Sequence, residues 1–362
     1  MWFCLLVATI TLSGCGSYKL ARNSEPELPP LKVAISPYQD IAMLVNAKQL
    51  GLEKKYGTKL DCLTLAWEDI PYAIASAGDT VDVGFMGLTD YLSKIDKLNT
   101  AKDDPLILVY PALVFRGGGF ISFNPKVPEI TQANMIDRSV VQKFLSYKVG
   151  AQRSSCFQMV VYMLGRKAGV DPHQLHVIDT TLNDGFLAAQ NGGLDVAAAG
   201  LTQKTEALKR NGRLVLNIND LGVGEINCLV CKQSCYRRRR ADVENLVRMW
   251  FDCTRYVTSD LDNHSTTTIA YLNKHSSTHY TLAEFKRAVS GEYFPNSVQE
   301  TEEQILSGDS RYSFAKQERM INSYLIDIGV RTAAAPPLRP IPMMPVTAAR
   351  DMRTANRESR WN

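Results

Sequence analysis

The chain has 362 residues, 45% of them hydrophobic and 22% charged, which is enough to bury a large core and more than one domain usually holds. Its formal charge of +4 comes largely from Arg237, Arg238, Arg239, Arg240 and the arginines from Arg339 onward, with carboxylates diluting the rest. That pattern excludes a nucleic-acid-binding stripe, and the length favours two lobes.

The N-terminal run MWFCLLVATITLSGCGS is apolar, ends in small residues and falls short of the ~20 residues of a spanning helix. It reads as an export signal, although no Lys or Arg precedes it. Its end, Leu12-Ser13-Gly14-Cys15, resembles the bacterial lipoprotein cleavage box. The resemblance implies a signal peptide over 1–15, with Cys15 lipidated and anchoring an extracytoplasmic chain. Residues 16–30, with Pro26, Pro29 and Pro30 among polar residues, read as a flexible tether.

The folded part is predicted to begin with a strand at 31–36 and a helix over 41–55, in which Ile41, Leu44, Val45, Leu50 and Leu52 recur at helical spacing before Gly57. A strand at 60–66, a short helix at 69–77 and a strand at 81–86 follow. The same order returns later: strand 148–152, helix 155–168 closed by Gly169, strand 175–179, helix 182–190 closed by Asn191-Gly192, strand 194–199. Strand–helix alternation of this kind means a parallel sheet with crossover helices, twice over.

The two halves also match in sequence. LKVAISPYQD (31–40) parallels YKVGAQRSSC (147–156), and AGDTVDVGFMGLTDYL (77–92) parallels QNGGLDVAAAGLTQKT (190–205), so that Asp82 corresponds to Asp195 and Gly87 to Gly200.

Open parallel sheets bind ligands beyond the carboxyl ends of their strands, where helix N-termini offer free N–H groups and partial positive charge. The first half places Ser36, Tyr38, Gln39 and Asp40 there, then Trp67, then Gly87 and Thr89; the second places Ser154, Ser155 and Cys156, then Thr180, then Gly200 and Thr202. Asp40 is read as capping its own helix. Ser154, Ser155 and Cys156 are expected to hold the polar or anionic end of a ligand, with simple helix capping as the alternative.

The stretches LKVAISPYQDIAMLVNAKQLGLEKKYG, ASAGDTVDVGFMG, KVGAQRSSCFQMVVYMLGRKAGV and AAQNGGLDVAAAG resemble the solute-binding proteins of ABC importers, specifically the nitrate, sulfonate, taurine and thiamine-pyrimidine group. The resemblance covers roughly residues 31–330. It implies an α/β, two-lobed type II periplasmic-binding-protein fold, each lobe a mainly parallel sheet flanked by helices, with a ligand cleft between the lobes. It further implies a monomeric receptor without cofactor or metal that delivers a small molecule to a permease and its ATPase subunit. The ligand is either a small oxyanion or a flat heterocycle. Asp40 departs from the group's pattern, which has an aromatic residue and a glycine after the first strand.

The chain must cross between lobes twice, near Pro111 to Gly117 and near Asp220 to Gly224, with strands at 213–218 and 225–232 around the return. The resemblance implies a discontinuous lobe one over 31–112 and 225–330, carrying the helical patterns DVENLVRMWFDCTRYVTSDL and SRYSFAKQERMINSYLIDIGV, and lobe two over 113–224. The arginine run 237–240 reads as a solvated loop. Cys228, Cys231 and Cys235 form a disulfide among themselves or are buried free thiols, and Cys62, Cys156 and Cys253 sit in or near the core. The segment 331–362, rich in proline and arginine, is expected to be disordered. The alternative function is an enzyme of the same fold acting on a small heterocycle or menaquinone precursor; against it, His173, His176, His264, His275 and His279 form no recognisable catalytic pairing.

Overall fold

The computed structural model describes residues 28–76, 80–99, 104–171, 175–276, 279–310, 312–335 and 337–341. The export signal with Cys15, nearly all of the tether and the tail from 342 lie outside the described residues.

The first half runs β1 (Leu31–Ile35), α1 (Leu52–Tyr56), β2 (Leu60–Thr64), α2 (Ile70–Ala75), β3 (Val83–Gly87), α3 (Leu88–Leu98) and β4 (Leu106–Phe115). The second runs β5 (Gly119–Ser122), α4 (Arg138–Leu145), β6 (Val149–Ala151), α5 (Cys156–Lys167), β7 (Val177–Asp179), α6 (Leu182–Gln190), β8 (Val196–Ala199), α7 (Leu201–Lys209) and β9 (Arg213–Asn217). The return adds β10 (Glu225–Lys232), α8 (Gln233–Ser259), α9 (Leu261–His264), α10 (Thr266–His275), α11 (Leu282–Ser290), α12 (Val298–Thr301) and α13 (Phe314–Asp327).

Among the described residues these strands make two five-stranded sheets of the same design, β2-β1-β3-β10-β4 and β7-β6-β8-β5-β9. In each, the fourth strand is antiparallel to both neighbours, and it is the strand that the chain forms on arriving from the other lobe. β4 stays in the first sheet as far as Phe115, so the first crossing lies at residues 116–118 rather than at the expected 112/113 boundary. Gly119 opens β5 where a Cβ would lie 2.6 Å from the Leu216 carbonyl oxygen, a close backbone approach that only glycine permits. Pro111 sits opposite Cys228 beside a register shift in the β4–β10 ladder, where a missing N–H is tolerated.

The internal repeat has a structural cause. Asp82 Oδ2 accepts the Lys32 amide at 2.9 Å, and Asp195 Oδ2 accepts the Lys148 amide at 3.0 Å. The backbone N–H groups of the same aspartates donate to the Lys32 and Lys148 carbonyls. Each aspartate thus ties the entry of β3 or β8 to the start of β1 or β6, satisfying edge groups that would otherwise lie beyond the ladder.

Several expectations are corrected. The helix over 41–55 does not form as one piece: Ala42–Ala47 is a 3-10 turn, Gly51 takes φ +64°, and α1 follows. Asn46 donates its side-chain amide to Met43 O at 2.9 Å, competing with helical pairing at that point. The arginine run lies inside α8, kinked at Arg239, rather than in a loop. Arg239 is mostly buried between Asp82 and Asp242, and Arg240 pairs with Glu244. Cys62 is exposed, whereas Cys156, Cys228, Cys231, Cys235 and Cys253 are buried free thiols.

The segment from 331 is held against the body up to Ile341: Ala335 N–H donates to Asn322 Oδ1, Leu338 N–H to Glu318 Oε1 and Ile341 N–H to Val109 O. Finally, α13 does not belong to lobe one alone. It packs on α3 and also on α5 of lobe two, where the Tyr324 hydroxyl donates to Gln158 Oε1 at 2.8 Å.

Candidate functional site

A cavity of ≈ 80 Å³ lies between the lobes, lined by Tyr38, Gln39, Asp40, Trp67, Asp90, Phe115, Glu225 and Asn227 from one side and by Gln152, Ser155, Cys156, Phe157, Leu182, Gly200 and Leu201 from the other. It sits where strand ends meet helix starts in both sheets, as expected for this topology. A larger groove of ≈ 410 Å³ is more open and lies where Leu338–Ile341 cross β4 and the start of α8. It is a surface feature away from those strand ends.

Of the residues singled out from sequence, Tyr38, Gln39, Asp40, Trp67, Ser155, Cys156 and Gly200 line the cavity. The other six do not line it, and each has a structural reason. Ser36 is fully buried and donates to Leu65 O at 3.0 Å. Gly87 makes room for a side chain, because a Cβ there would stand 2.5 Å from Glu225 Oε1. Thr89 binds that same carboxylate. Ser154 occupies the left-handed region at φ +60°, and its amide donates to Gln158 Oε1. The Thr180 hydroxyl donates to the Thr181 carbonyl. Thr202 is buried 2.6 Å from the Tyr280 hydroxyl, a contact between α7 and the lobe-one segment before α11.

Ser155 is the N-cap of α5. Its hydroxyl donates to Gln152 O at 2.6 Å and accepts from Gln158 N at 3.4 Å, so capping uses both of its hydrogen-bonding functions although its edge faces the cavity. Cys156 follows as the first helical residue; burial, and then the nearby Glu225 carboxylate, push its thiol well above the ordinary range. Both effects favour the thiol over the thiolate.

Sequence reasoning placed Asp40 at the cleft but misread its role, and it missed Glu225, Asp90 and Asn227. Glu225, at the start of β10, accepts the Thr89 amide at 2.7 Å on one oxygen and the Thr89 hydroxyl at 2.6 Å on the other. It caps the N-terminus of α3 from 136 residues away. Burial pushes its carboxyl up to about 8. Asp40 is no helix cap: it is buried, accepts Asn227 Nδ2 at 3.1 Å, and burial pushes it up to about 7. Asp90 accepts the Trp67 indole N–H at 3.0 Å and pairs with Lys94 at 2.9 Å, which fixes the ring that was expected to stack on a ligand. Glu225 and Asn227 lie two apart on β10 and so on one face of the strand. A carboxylate and an amide at alternate positions of the apolar run EINCLVC were the available signal.

Two aligned five-stranded sheets, two crossings and a cavity at the shared edge leave little choice of architecture. The fold is that of the periplasmic binding proteins. The Escherichia coli aliphatic sulphonate-binding protein SsuA superposes with a TM-score of 0.60 at 14% identity, over 89% of this chain and 96% of that one. The nitrate-binding protein NrtA of Synechocystis PCC 6803 gives 0.58 at 15% identity, over 73% and 70%. A Candida albicans gene product with the generic periplasmic binding protein fold gives 0.59 at 12%, over 81% and 89%. No protein-family model and no curated protein matches the sequence. At these identities the likeness concerns the fold.

Proposed function

We propose that the chain is an extracytoplasmic solute-binding receptor that closes its two lobes on a small molecule and presents it to an ABC permease and its ATPase. One observation carries the reading: the cavity takes its walls from both lobes, from the strand-end edges on which this fold places ligands. The neighbours named for sulfonate and nitrate binding support the receptor role. Among the described residues no helix is long and apolar enough to cross a membrane, and the lipoprotein-like box at Cys15 supplies the anchor in this reading. The crossings at 116–118 and 218–224 serve as hinges, with α13 seated across both lobes.

Small-angle scattering with a saturating ligand tests the motion: the radius of gyration falls on binding. A ligand that binds tightly without changing it overturns the closing receptor. Labelled palmitate entering the Cys15→Ala variant as it enters the parent chain overturns the anchor.

A further inference from the structure

We infer that the cavity binds a flat, nitrogen-bearing organic cation, a single ring carrying amino or amidine N–H donors, and not an oxyanion. This rests on the receptor reading above and names its ligand class.

Lobe one contributes two unpartnered acceptors to the cavity wall. Gln39 and Asn227 both line it, are 2% and 3% exposed, and carry side-chain oxygens, Gln39 Oε1 and Asn227 Oδ1, that are buried without a partner. The orientation of Asn227 is set by its other atom, since Nδ2 donates to Asp40. A buried acceptor left unpaired costs roughly 1–3 kcal/mol, so two of them facing one cavity call for a ligand that donates. Asp40 and Glu225 stand beside them, and no cation among the described residues pairs with either.

Most of the features that would serve an anion are already used, the uncapped start of α7 at Gly200 and Leu201 being the exception. The N-terminus of α3 is filled by Glu225, and the hydroxyl at the start of α5 is spent on Gln152 and Gln158. Among the described residues no Lys or Arg lines the cavity. Lys94 reaches only Asp90, and Arg116 and Lys204 are turned to the first crossing, on Glu292 and on Gly117 O. Trp67, Tyr38, Phe115 and Phe157 add ring faces, which attract a flat cation and offer an anion nothing. The volume of ≈ 80 Å³ admits only a small ligand.

A cation seated here restores the ionised forms of Asp40 and Glu225, so binding releases protons. The groups facing Asp40 are Tyr38, Tyr280, Glu292 and Asn227, and those facing Glu225 are Thr89, Asp90 and Cys156; none of them is a cation. Affinity for a cation therefore rises between pH 6 and 8.5, by roughly tenfold for each proton released per pH unit. An anion held by the neutral acids shows the opposite slope.

Calorimetric titration of the purified chain with benzamidinium and 4-aminopyridinium, against nitrate, methanesulfonate and taurine, decides the matter, with scattering recorded in parallel. At least one of the two cations is expected to bind with the rising pH slope and to lose roughly tenfold or more in Asp40→Asn. Gln39→Met, which keeps all charges, is expected to weaken the same cation and guards against a folding defect in the first variant. If an oxyanion binds and shrinks the radius of gyration, with affinity kept or raised in Asp40→Asn, the inference fails and the receptor stands. If no probe of either class binds or changes the radius, the receptor reading fails and the inference with it.

Discussion

Replacing Glu225 by Gln isolates the cost of an acid buried at the heart of the cavity. The native carboxyl keeps its proton up to about 8, whereas an ordinary glutamate releases it near 4.5, so across that window the folded state binds the extra proton. Stability contributed by this group is therefore complete below the lower value and is lost as pH rises through the upper one. The span corresponds to roughly 4–5 kcal/mol at high pH. Glutamine copies the protonated acid in shape: its oxygen still accepts the Thr89 amide, and its amide donates to the Thr89 hydroxyl, which now accepts. In thermal melts followed by circular dichroism, Glu225→Gln is expected to match the parent near pH 5 and to melt higher at pH 9, by on the order of 5–10 °C. A residual slope remains in the variant from Asp40, pushed up to about 7 by the same burial. An equal loss of stability at both pH values would refute the reasoning, because it would mean that the negative charge itself holds α3 in place.

Asp195→Ala removes the acceptor of the Lys148 amide and of Asn124 Nδ2. It should cost about 1–3 kcal/mol and abolish hydrogen-exchange protection of the Lys148 amide while leaving that of Lys32 unchanged. Arg239→Ala removes the ion-pair partner of Asp82 and of the buried Asp242, so a fall of about 2–4 kcal/mol in urea-unfolding stability is expected, whereas Arg237→Ala, on an exposed side chain, should stay within about 0.5 kcal/mol. Ser155→Ala loses the α5 cap at a cost of about 1 kcal/mol in the same assay, and its affinity for benzamidinium is expected to equal that of the parent.

The lesson of Ser154, Ser155 and Cys156 is that a hydroxyl-rich helix start has two uses, and sequence does not distinguish them. Ser155 reaches the cavity edge and Cys156 lines it, but Ser154 and Ser155 are committed to the local backbone through Gln158 and Gln152. Gly87 and Thr89 were legible as a strand-to-helix junction. Their purpose, to make room for Glu225 and to bind it, was not. The arginine run shows the same limit: its charge pattern says solvent, yet α8 brings Arg239 between two aspartates, one of them the Asp82 of the repeat.

What the sequence determined by itself is what short-range physics controls. Hydrophobic periodicity placed most of the strands, and the paired Lys-Val and Asp-Val motifs revealed two copies of one unit, because each motif closes hydrogen bonds within its own lobe. Only the tertiary structure decided the chemistry of the cavity. Its acidic and amide groups come from β10, which enters the first sheet after the chain has built the whole of lobe two and returned. Glu225 therefore meets the start of α3 at a sequence distance of 136 residues, and Asn227 meets Asp40 at 187. Contacts of that range depend on the antiparallel insertion of one strand and its register, which no local pattern encodes.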